Sequence, residues 1–361
     1  MKRLKKFTLR AIAGANVATV LTMLLLGYAG CFNPVEHSIL ACSTLLFPVF
    51  LVINLLFLVF WLFFHWKGAI IPFVGYVICY FPIRTYIPFN IASDPPEGAI
   101  KVVSYNVAGY GYGTLGLPND EPSEVVSWLI DSDADIICIQ EGSSSCSDPR
   151  MEEVLKKKYE HIKQEQKKSG TTLTLFSRFP ILKSEFIEYE SKGNASVAFE
   201  IDYHNKEVVV VNNHLESNKL SQEVKKNFKQ MVKGDLTTEE AKGESRELFG
   251  LLREAVKERA PQAEAVAAYI AQRRDEGKSV IVCGDFNDNP LSYTHRTIAK
   301  DLTDCYVSSG RGPGWTYARG GMRVRIDNIL CSDEWEPYSA KVDTKVTVSD
   351  HFPIVCWLKM K

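Results

Sequence analysis

The sequence lacks net charge, because 42 Lys and Arg residues are balanced by 43 Asp and Glu residues, which leaves −1 at pH 7. This balance excludes a strongly basic protein, so nucleic-acid binding would require a local basic groove. Paired Cys and His residues at metal-ligand spacings are also missing, which argues against a structural zinc site. The 361 residues are enough for one large domain or two ordinary ones with a substantial core.

Charge is also scarce in the first 90 residues. Residues 11–30 and 38–64 contain no Asp, Glu, Lys or Arg, and each run can cross a hydrocarbon layer of about 30 Å. Residues 69–89 are apolar but include Arg84 and three prolines, so they form either a third span or a re-entrant or surface-lying segment. We predict that residues 1–90 are a membrane anchor with three spans.

Basic residues cluster before the first apolar run, in MKRLKK and at Arg10, whereas the next loop, CFNPVEH, has no Lys or Arg. This distribution predicts a cytoplasmic N-terminus and, with three spans, places the rest of the chain on the outer, periplasmic or extracellular, side. A cleaved signal peptide is the competing interpretation of the first run, since YAGC resembles a lipoprotein cleavage site. Tyr28 fits that site poorly, and a second long apolar run follows.

The remainder of the chain reads as a linker followed by a globular domain. SDPPEG predicts a linker at residues 91–98. Residues 99–361 alternate short apolar runs, typical of buried strands, with amphipathic helical segments, the longest of which lies within residues 219–277. This order predicts an α/β domain whose sheets are covered by helices on their outer faces.

Side chains able to bind a hard cation or a phosphate follow several of the strand-like runs. They are Asn106 after VVSY, Glu141 after DIICIQ, His214 after VVVVNN, Asp285 and Asn287 after VIVCG, Asp327 after RVRI, and the pair Asp350 and His351 after KVTVS. Because the ends of sheet strands can meet at one rim, we expect these residues to form a single site.

This set of side chains matches the needs of phosphate-ester hydrolysis. That reaction requires neutralisation of phosphoryl charge, a water in line with the leaving oxygen and a proton for the leaving group. Carboxylate and amide oxygens suit Mg²⁺, Mn²⁺ or Ca²⁺, and histidine titrates near neutral pH. The pattern therefore favours a metal-dependent phosphoester hydrolase.

Seven short motifs identify a family. In order along the chain they are SYNVAGYG, DIICIQE, SRFPI, NNHLES, GDFNDNP, RIDNIL and SDHFP. Each is weak alone, but their order and spacing over about residues 100–361 resemble the endonuclease/exonuclease/phosphatase superfamily. That superfamily has a deoxyribonuclease I-like fold and includes abasic-site endonucleases, inositol-phosphate phosphatases and neutral sphingomyelinases. The first 90 residues look like the anchor of some bacterial members.

The resemblance implies a four-layer α/β sandwich, with two mostly antiparallel sheets flanked by helices, and a divalent metal cofactor. It also implies roles for the motif residues. Asn106 and Glu141 match metal ligands with Asp350 nearby, Asp285 and Asn287 match the pair that orients or activates water, His351 matches the histidine at the phosphate, Asp327 matches the acid bound to that histidine, His214 matches a proton donor to the leaving group, and Arg178 matches an arginine near the phosphate.

Several residues have simpler interpretations. An isolated polar residue after a strand is usually a turn or cap residue, and a surface salt bridge explains Arg178 equally well. Arg259 and Gln262 face either the cleft or solvent, and Trp315 either lines the rim or packs internally. Asn328 departs from the tyrosine or arginine-rich context that the family often has there, which leaves substrate contacts at that point open.

The sequence favours a membrane-anchored nuclease or phosphodiesterase. A phosphatase or sphingomyelinase-like enzyme that acts on lipid headgroups or inositol phosphates is the main alternative, and a catalytically inactive binding module is a lesser one. The expected partners are a phosphoester substrate, either nucleic acid or a phospholipid headgroup, and the membrane itself. No obligate protein partner is evident from the sequence.

Overall fold

The computed structural model describes residues 2–112, 122–142, 148–167, 170–319 and 321–361. The α-helices are α1 (Lys2–Gly27), α2 (Pro34–Ser43), α3 (Phe47–Phe64), α4 (Ile70–Ile78), α5 (Tyr80–Tyr86), α6 (Glu124–Asp131), α7 (Lys156–Lys158), α8 (Gln222–Lys233), α9 (Thr238–Asp275), α10 (Tyr293–Ile298) and α11 (Cys305–Ser309). Short 3₁₀ or π turns cover Ala29–Cys31, Thr44–Leu46, Trp66–Ala69, Ala108–Gly111 and Met151–Leu155.

The strands are β1 (Ile100–Asn106), β2 (Ile136–Gln140), β3 (His161–Gln166), β4 (Thr172–Ser177), β5 (Ile181–Ile187), β6 (Ala195–Tyr203), β7 (Lys206–His214), β8 (Ser279–Asp285), β9 (Thr303–Asp304), β10 (Tyr317–Arg319), β11 (Met322–Val324), β12 (Asp327–Cys331), β13 (Trp335–Val342) and β14 (Ile354–Met360). They form two six-stranded sheets, in the orders β13-β14-β1-β2-β4-β3 and β5-β6-β7-β8-β12-β9, and a β10–β11 hairpin.

Each six-stranded sheet contains one parallel pair, β1–β2 in the first and β7–β8 in the second. The other paired strands that the structure describes run antiparallel. The mostly antiparallel pairing expected from the family resemblance is therefore confirmed.

Apolar side chains on both faces of the sheets explain the layered packing. Successive strand residues point to opposite faces, so strands covered on both sides read as nearly continuous apolar runs. Side chains such as Val102, Ile136 and Val210 pack between the sheets. The outer face of the first sheet packs against α6, and that of the second packs against α9. The result is the expected four-layer α/β sandwich.

Residues 2–90, called the anchor below, hold two helical stretches that are long and apolar enough to cross a membrane, Lys6–Cys31 and Pro34–Phe64. Their interior contains a neutral hydrogen-bonded network. Asn16 Nδ2 donates to Asn54 Oδ1 at 3.0 Å, Thr19 Oγ1 donates to the same oxygen at 3.1 Å, and Trp61 Nε1 donates to Asn16 Oδ1 at 2.9 Å. Partners inside the helix pair satisfy these buried groups.

The expected third span is bent. Trp66–Ile78 and Tyr80–Tyr86 form a helix pair with a 66° bend. In the described part of the chain, two helical stretches are long and apolar enough to span a membrane, and this pair adds a third only if it is one broken span. The alternative of a re-entrant segment fits the same geometry. After the anchor, residues 91–96 form neither helix nor strand.

The anchor packs directly on the loop that follows β8. A Cβ atom on Gly30 would lie 2.2 Å from the Leu291 carbonyl oxygen, so only glycine fits at this contact. Asn289 Nδ2 donates to Thr44 Oγ1 at 2.9 Å. Ala41 and Cys42 of α2 pack with Val256 of α9. The turn after α1 and the residues that lead into α3 are therefore fixed against residues 289–291.

Candidate active site

Strand register brings most of the predicted residues to one rim. His214 lies opposite Asp285 in the parallel pair β7–β8, and Asp327 lies opposite Asp285 in the antiparallel pair β12–β8. In the other sheet, Asn106 ends β1 and Glu141 follows its parallel neighbour β2. The rim is therefore formed by the ends of four strands and the start of a fifth.

The amide of Asn106 connects the two sheets at this rim. Its Nδ2 donates to Glu141 Oε1 at 3.0 Å and to Asp285 Oδ2 at 3.2 Å. His214 Nε2 lies 3.4 Å from the same oxygen of Glu141 and 3.8 Å from the same oxygen of Asp285. Two carboxylate oxygens, Glu141 Oε1 and Asp285 Oδ2, thus converge on the amide of Asn106 and the imidazole of His214.

His351 is held in a fixed orientation on the other side of Asp285. Its Nδ1 bonds Asp327 Oδ2 at 2.8 Å, and its Nε2 lies 3.7 Å from Asp285 Oδ2. Thr316 Oγ1 accepts from the backbone N–H of Asp327 at 3.0 Å, and Ser349 Oγ accepts from that of His351 at 3.1 Å. Because Asp327 occupies Nδ1, the imidazole directs Nε2 towards the rim.

Asn287 shapes the loop after β8. Its backbone N–H donates to Asp285 Oδ1 at 2.8 Å and its Nδ2 donates to the Leu215 carbonyl at 2.9 Å. Its φ of 53° is in the left-handed region, which Asn tolerates better than most residues, and Glu141 has a φ of 54°. Two of the predicted functional residues therefore have unusual backbone conformations that their surroundings hold in place.

The electrostatic environment separates the ionisation of the acids from that of His351. Burial raises the pKa of Asp285 to about 6, with His351 opposing this effect and Asp327 adding to it. Burial alone would lower the pKa of His351, but Asp327 and Asp285 outweigh it and raise that pKa well above its ordinary value. Burial alone would raise the pKa of Glu141, but the charge of His214 and other neighbours outweighs burial, so the pKa of Glu141 lies below its ordinary value. The rim favours an imidazolium between carboxylates.

A divalent cation fits the donor set at this rim. Glu141 and Asp285 supply carboxylate oxygen atoms of the kind that hard cations prefer, and these two oxygens converge on the one amide nitrogen of Asn106, which leaves room for a positive charge between them. Asp285, Asp327 and His351 also have ligand atoms within 4.8 Å of one another. Asp327 Oδ1 is buried without a hydrogen-bond partner in the described part of the chain, so acceptor capacity remains.

Asp350 lies at the edge of the rim and faces a lysine that sequence reasoning missed. Its Oδ2 is 3.9 Å from Lys225 Nζ of α8, and that ammonium group lies 5.4 Å from the ring centre of Tyr317. Lys225 also contributes to the lowered pKa of Glu141. One feature of the sequence could have indicated Lys225. It follows Val224, which is buried in the amphipathic helix α8, and so lies near the buried face of that helix.

The sequence model of the Endonuclease/Exonuclease/phosphatase family matches residues 103–351, which is more than half of the chain. The chain belongs to this family. A second model, of a domain of unknown function (DUF8431), matches residues 9–86, within the anchor. No curated protein matches the chain at a significant level.

Solved structures share the fold of the family domain. TDP2 from C. elegans is 14% identical, with 81% of this chain and 83% of that chain covered and a TM-score of 0.52. The human Nocturnin catalytic domain with bound sulfate is 15% identical, with 74% and 96% covered and a TM-score of 0.51. An endonuclease/exonuclease/phosphatase from Beutenbergia cavernae is 16% identical, with 73% and 72% covered and a TM-score of 0.51. At these identities the likeness shows the fold alone.

Membership of the Endonuclease/Exonuclease/phosphatase family assigns the chain to the phosphoester hydrolases, most of which depend on divalent metals. The family resemblance seen in the motifs is therefore confirmed. The acidic and histidine cluster at the rim agrees with this enzyme class, without specifying the ion.

Arg178, which the family pattern would place near the phosphate, lies elsewhere. Its guanidinium pairs with Asp133 Oδ1 at 2.5 Å and Asp135 Oδ1 at 3.0 Å. Asp135 precedes β2 whereas Glu141 follows it, so roughly 20 Å of extended chain separates this pair from the rim. Because β4 runs antiparallel to β2, a residue that follows β4 lies at the opposite rim. The salt-bridge alternative describes Arg178 correctly.

Arg259 and Gln262 of α9 face neither the cleft nor solvent, since each is 1% exposed. Arg259 Nη1 donates to the Glu216 carbonyl and to Asn218 Oδ1, both at 2.9 Å. Gln262 Oε1 accepts from the backbone N–H of Glu216 at 2.9 Å, and Arg259 Nη2 lies 3.5 Å from Asp288 Oδ2. Arg259 therefore positions both loops of the family domain that follow β7 and β8, and Gln262 positions the loop after β7.

Trp315 is not packed internally, which leaves the other of its two predicted interpretations, a place beside the rim. Its side chain is partly exposed, and the Arg323 guanidinium lies 5.1 Å from its ring centre. The neighbouring Thr316 and Tyr317 contact Asp327 and His351, respectively. A cationic and aromatic pair thus flanks the site of this family member.

Proposed function

We propose that the chain hydrolyses a phosphodiester by attack of water on phosphorus. The observation that carries this proposal is that one carboxylate oxygen, Asp285 Oδ2, faces two imidazole nitrogens, at 3.7 Å from His351 Nε2 and at 3.8 Å from His214 Nε2. A phosphoryl group bound at this point would meet a proton acceptor on one side and proton donors on the others.

In this proposal Asp285 accepts a proton from the attacking water, and Asn287 orients that water. The raised pKa of Asp285, about 6, supports a role as a base near neutral pH. The Asp327 carboxylate keeps His351 positively charged, so that His351 balances the charge on the phosphoryl oxygens.

His214 is proposed to donate a proton to the leaving oxygen. Its Nδ1 bonds Thr171 Oγ1 at 3.0 Å, which fixes the ring and leaves Nε2 towards the rim. A divalent ion, Mg²⁺ or else Mn²⁺ or Ca²⁺, supplies neutralisation of phosphoryl charge when bound. In this proposal Glu141 and Asn106 hold it, with Asp350 as a contributor from the edge.

The anchor is proposed to span the membrane with its N-terminus in the cytoplasm and residues 99–361 on the outer side. The basic residues before the first span and the two long apolar helical stretches support this arrangement. It requires the bent helix pair to act as a third span. A reporter fused after Asn90 that is active only in the cytoplasm would overturn the orientation.

Nucleic acid is the first candidate substrate. The exposed Trp315 with Arg323 beside it at the rim supports this choice, since bases stack on aromatic and guanidinium planes. A lipid headgroup is the second candidate, and a different observation favours it. The residues that lead into α3 contact the loop after β8, so a membrane surface would lie close to the loop that carries Asn287.

The full chain, purified in a neutral detergent with Mg²⁺, should be tested against single-stranded DNA, RNA, sphingomyelin and inositol phosphates. We expect hydrolysis of at least one phosphodiester, its loss on chelation, and its loss in His351→Gln. Asp275→Asn, an exposed position at the end of α9, is the matched control and should retain full activity. Preference for sphingomyelin over both nucleic acids would reverse the substrate order, and no hydrolysis with any substrate or metal would refute the proposal.

A further inference from the structure

A groove lies between the start of α1 and the end of α3, at the opposite end of the anchor from its contact with the family domain. It encloses about 630 Å³ and is lined by Lys6, Leu9, Arg10, Ala13, Trp61, His65, Lys67 and Gly68. Four of these residues are basic or can become so, and none is acidic. The charged side chains of its lining, those of Lys6, Arg10 and Lys67, are therefore all positive.

Acidic side chains are scarce in the part of the chain that forms this groove. Glu36 is the only Asp or Glu within residues 1–93, and it follows α1 at the far end. From Arg10 to the end of α1 at Gly27, the helix rise alone amounts to about 25 Å. Among the residues that the structure describes, no carboxylate lies within salt-bridge distance of Lys6, Arg10 or Lys67. These exposed positive charges are therefore free to bind an anion from outside the chain.

The floor of the groove is apolar and fixed in shape. Trp61 is buried, and its indole donates to Asn16 Oδ1 at 2.9 Å. Its ring lies so close to Gly68 that a Cβ there would be 2.3 Å away. Leu9 and Ala13 line the same groove from α1. A ligand would thus meet cations at the mouth and hydrocarbon below them.

The neighbouring side chains place the groove at the depth of lipid headgroups. Phe63 and Phe64, at the end of α3, are 82% and 69% exposed, and Trp66 is 71% exposed beside Lys67. Exposed aromatic residues next to basic ones are typical of the boundary between hydrocarbon and headgroups. The mouth of the groove would therefore lie beside lipid phosphates of the leaflet at the N-terminus.

We propose that this groove binds the headgroup of an anionic phospholipid, with its phosphate near Arg10 and Lys67 and its glycerol and acyl part along Leu9, Ala13 and Trp61. Basic pockets between membrane helices on the cytoplasmic side bind such lipids in general. The inference rests on the proposed membrane spans and is independent of the hydrolytic reaction. It assigns the basic residues a specific ligand as well as a role in orientation.

The test measures lipid binding to the full chain in a neutral detergent, by native mass spectrometry and by thermal stability. Phosphatidylglycerol should remain bound and raise the melting temperature, whereas phosphatidylcholine and inorganic phosphate at equal concentration should do neither. Arg10→Gln should weaken phosphatidylglycerol binding about fivefold and Arg10→Gln with Lys67→Gln about thirtyfold. Arg10→Lys should restore most of the binding.

Arg3→Gln is the control, since it removes one positive charge from the same helix but lies outside the groove lining. If Arg3→Gln weakens binding as much as Arg10→Gln, the attraction is diffuse and the proposed site is wrong. Equal stabilisation by phosphatidylcholine or by inorganic phosphate would also overturn it. This test measures lipid binding and not hydrolysis, so failure of the proposed lipid site can be distinguished from failure of the proposed hydrolytic function.

Discussion

The anchor and the rim of the family domain both bury polar side chains, but they do so in opposite ways. In the anchor, Asn16, Thr19, Asn54 and Trp61 are uncharged, and they satisfy one another at 2.9 to 3.1 Å. At the rim, the buried groups include two neighbouring carboxylates, Asp285 and Asp327, with the imidazole of His351 between them, and an oxygen of Asp327 remains without a partner in the described structure.

This difference suggests that the anchor network serves the stability of the protein, whereas the rim serves its reaction. A neutral network whose members satisfy each other strengthens helix packing and needs nothing more. Buried carboxylates close to one another are unfavourable until a cation or a proton balances them. The same groups that allow the reaction therefore lower the stability of the fold. Substitutions in the anchor network should therefore lower stability without changing turnover, whereas substitutions of the rim carboxylates should lower turnover without lowering stability.

The largest expected effect is on turnover. Asp285→Asn keeps the size of the side chain but removes the charge and the proton acceptor. We expect kcat to fall roughly 10³- to 10⁴-fold, the upper part of the range for loss of a general base. The melting temperature should not fall, which circular dichroism would check. A variant with more than a tenth of normal turnover would remove Asp285 from the proposed mechanism.

The second effect is a gain in stability from the same substitution, in metal-free protein. Because burial raises the pKa of Asp285 from 3.8 to about 6, ionisation is unfavourable in the folded state, and wild-type stability is lost as the pH rises through 6. At pH 7 the neutral amide that replaces this carboxylate avoids the loss, so Asp285→Asn should be more stable than the metal-free wild type.

The difference in unfolding free energy between wild type and Asp285→Asn should disappear near pH 4, where Asp285 is protonated in the folded state. Urea unfolding of the chelated proteins at pH 4 and pH 7 would measure it. Mg²⁺ should stabilise the wild type more than the variant. If the variant is less stable than wild type at pH 7, the carboxylate is not strained by its surroundings.

The third effect concerns the anchor. Asn54→Leu replaces the amide at the centre of the neutral network with a side chain of similar size, which leaves Asn16 and Thr19 without their shared acceptor. We expect a loss of about 2 kcal/mol in unfolding free energy, in the range for buried groups left unsatisfied. Thermal unfolding in detergent would measure it, and kcat should not change. A tenfold loss of turnover at normal stability would contradict the division between the two regions.

The smallest effect is expected at Arg178, which lies at the rim opposite the candidate active site. Arg178→Ala removes a half-exposed ion pair with Asp133 and Asp135, which should change stability by less than about 1 kcal/mol and leave turnover unchanged. Lys225→Gln, at the active rim, is the informative contrast because its charge faces Asp350. Its kcat/KM should fall while that of Arg178→Ala does not. Equal losses in both variants would mean that position relative to the rim does not decide function.

The sequence predicted much of the rim because the strands that carry it follow a simple rule. Asn106, Glu141, His214 and Asp285 each end an apolar run, and in the structure these runs are two parallel pairs, whose carboxyl ends meet. Asp327 is different, since it begins the antiparallel strand β12. The sequence predicted Asp327 at the end of the run RVRI, and this strand direction was wrong, because an apolar run does not specify the direction in which a strand reaches the rim.

Strand direction also explains the wrong position expected for Arg178, which follows a strand like the others but lies at the opposite rim. Lys225, Arg259 and Gln262 were missed or left open for another reason. They lie on helices, and the loops and hairpin that these helices contact are distant in sequence. Helical periodicity predicts which face is buried but not which partner buries it.

The contact at Gly30 has a consequence for any attempt to exchange parts of the molecule. Its Cα lies against the backbone of Leu291 and Ser292, too close for any side chain, so the surface that receives it is backbone and cannot adapt by choosing another rotamer. A hydrolase domain cut free of residues 2–90 would expose this surface, and a foreign anchor would not fit it. The two matched segments are therefore coupled at this contact, so that a change of backbone shape on either side requires a matching change on the other.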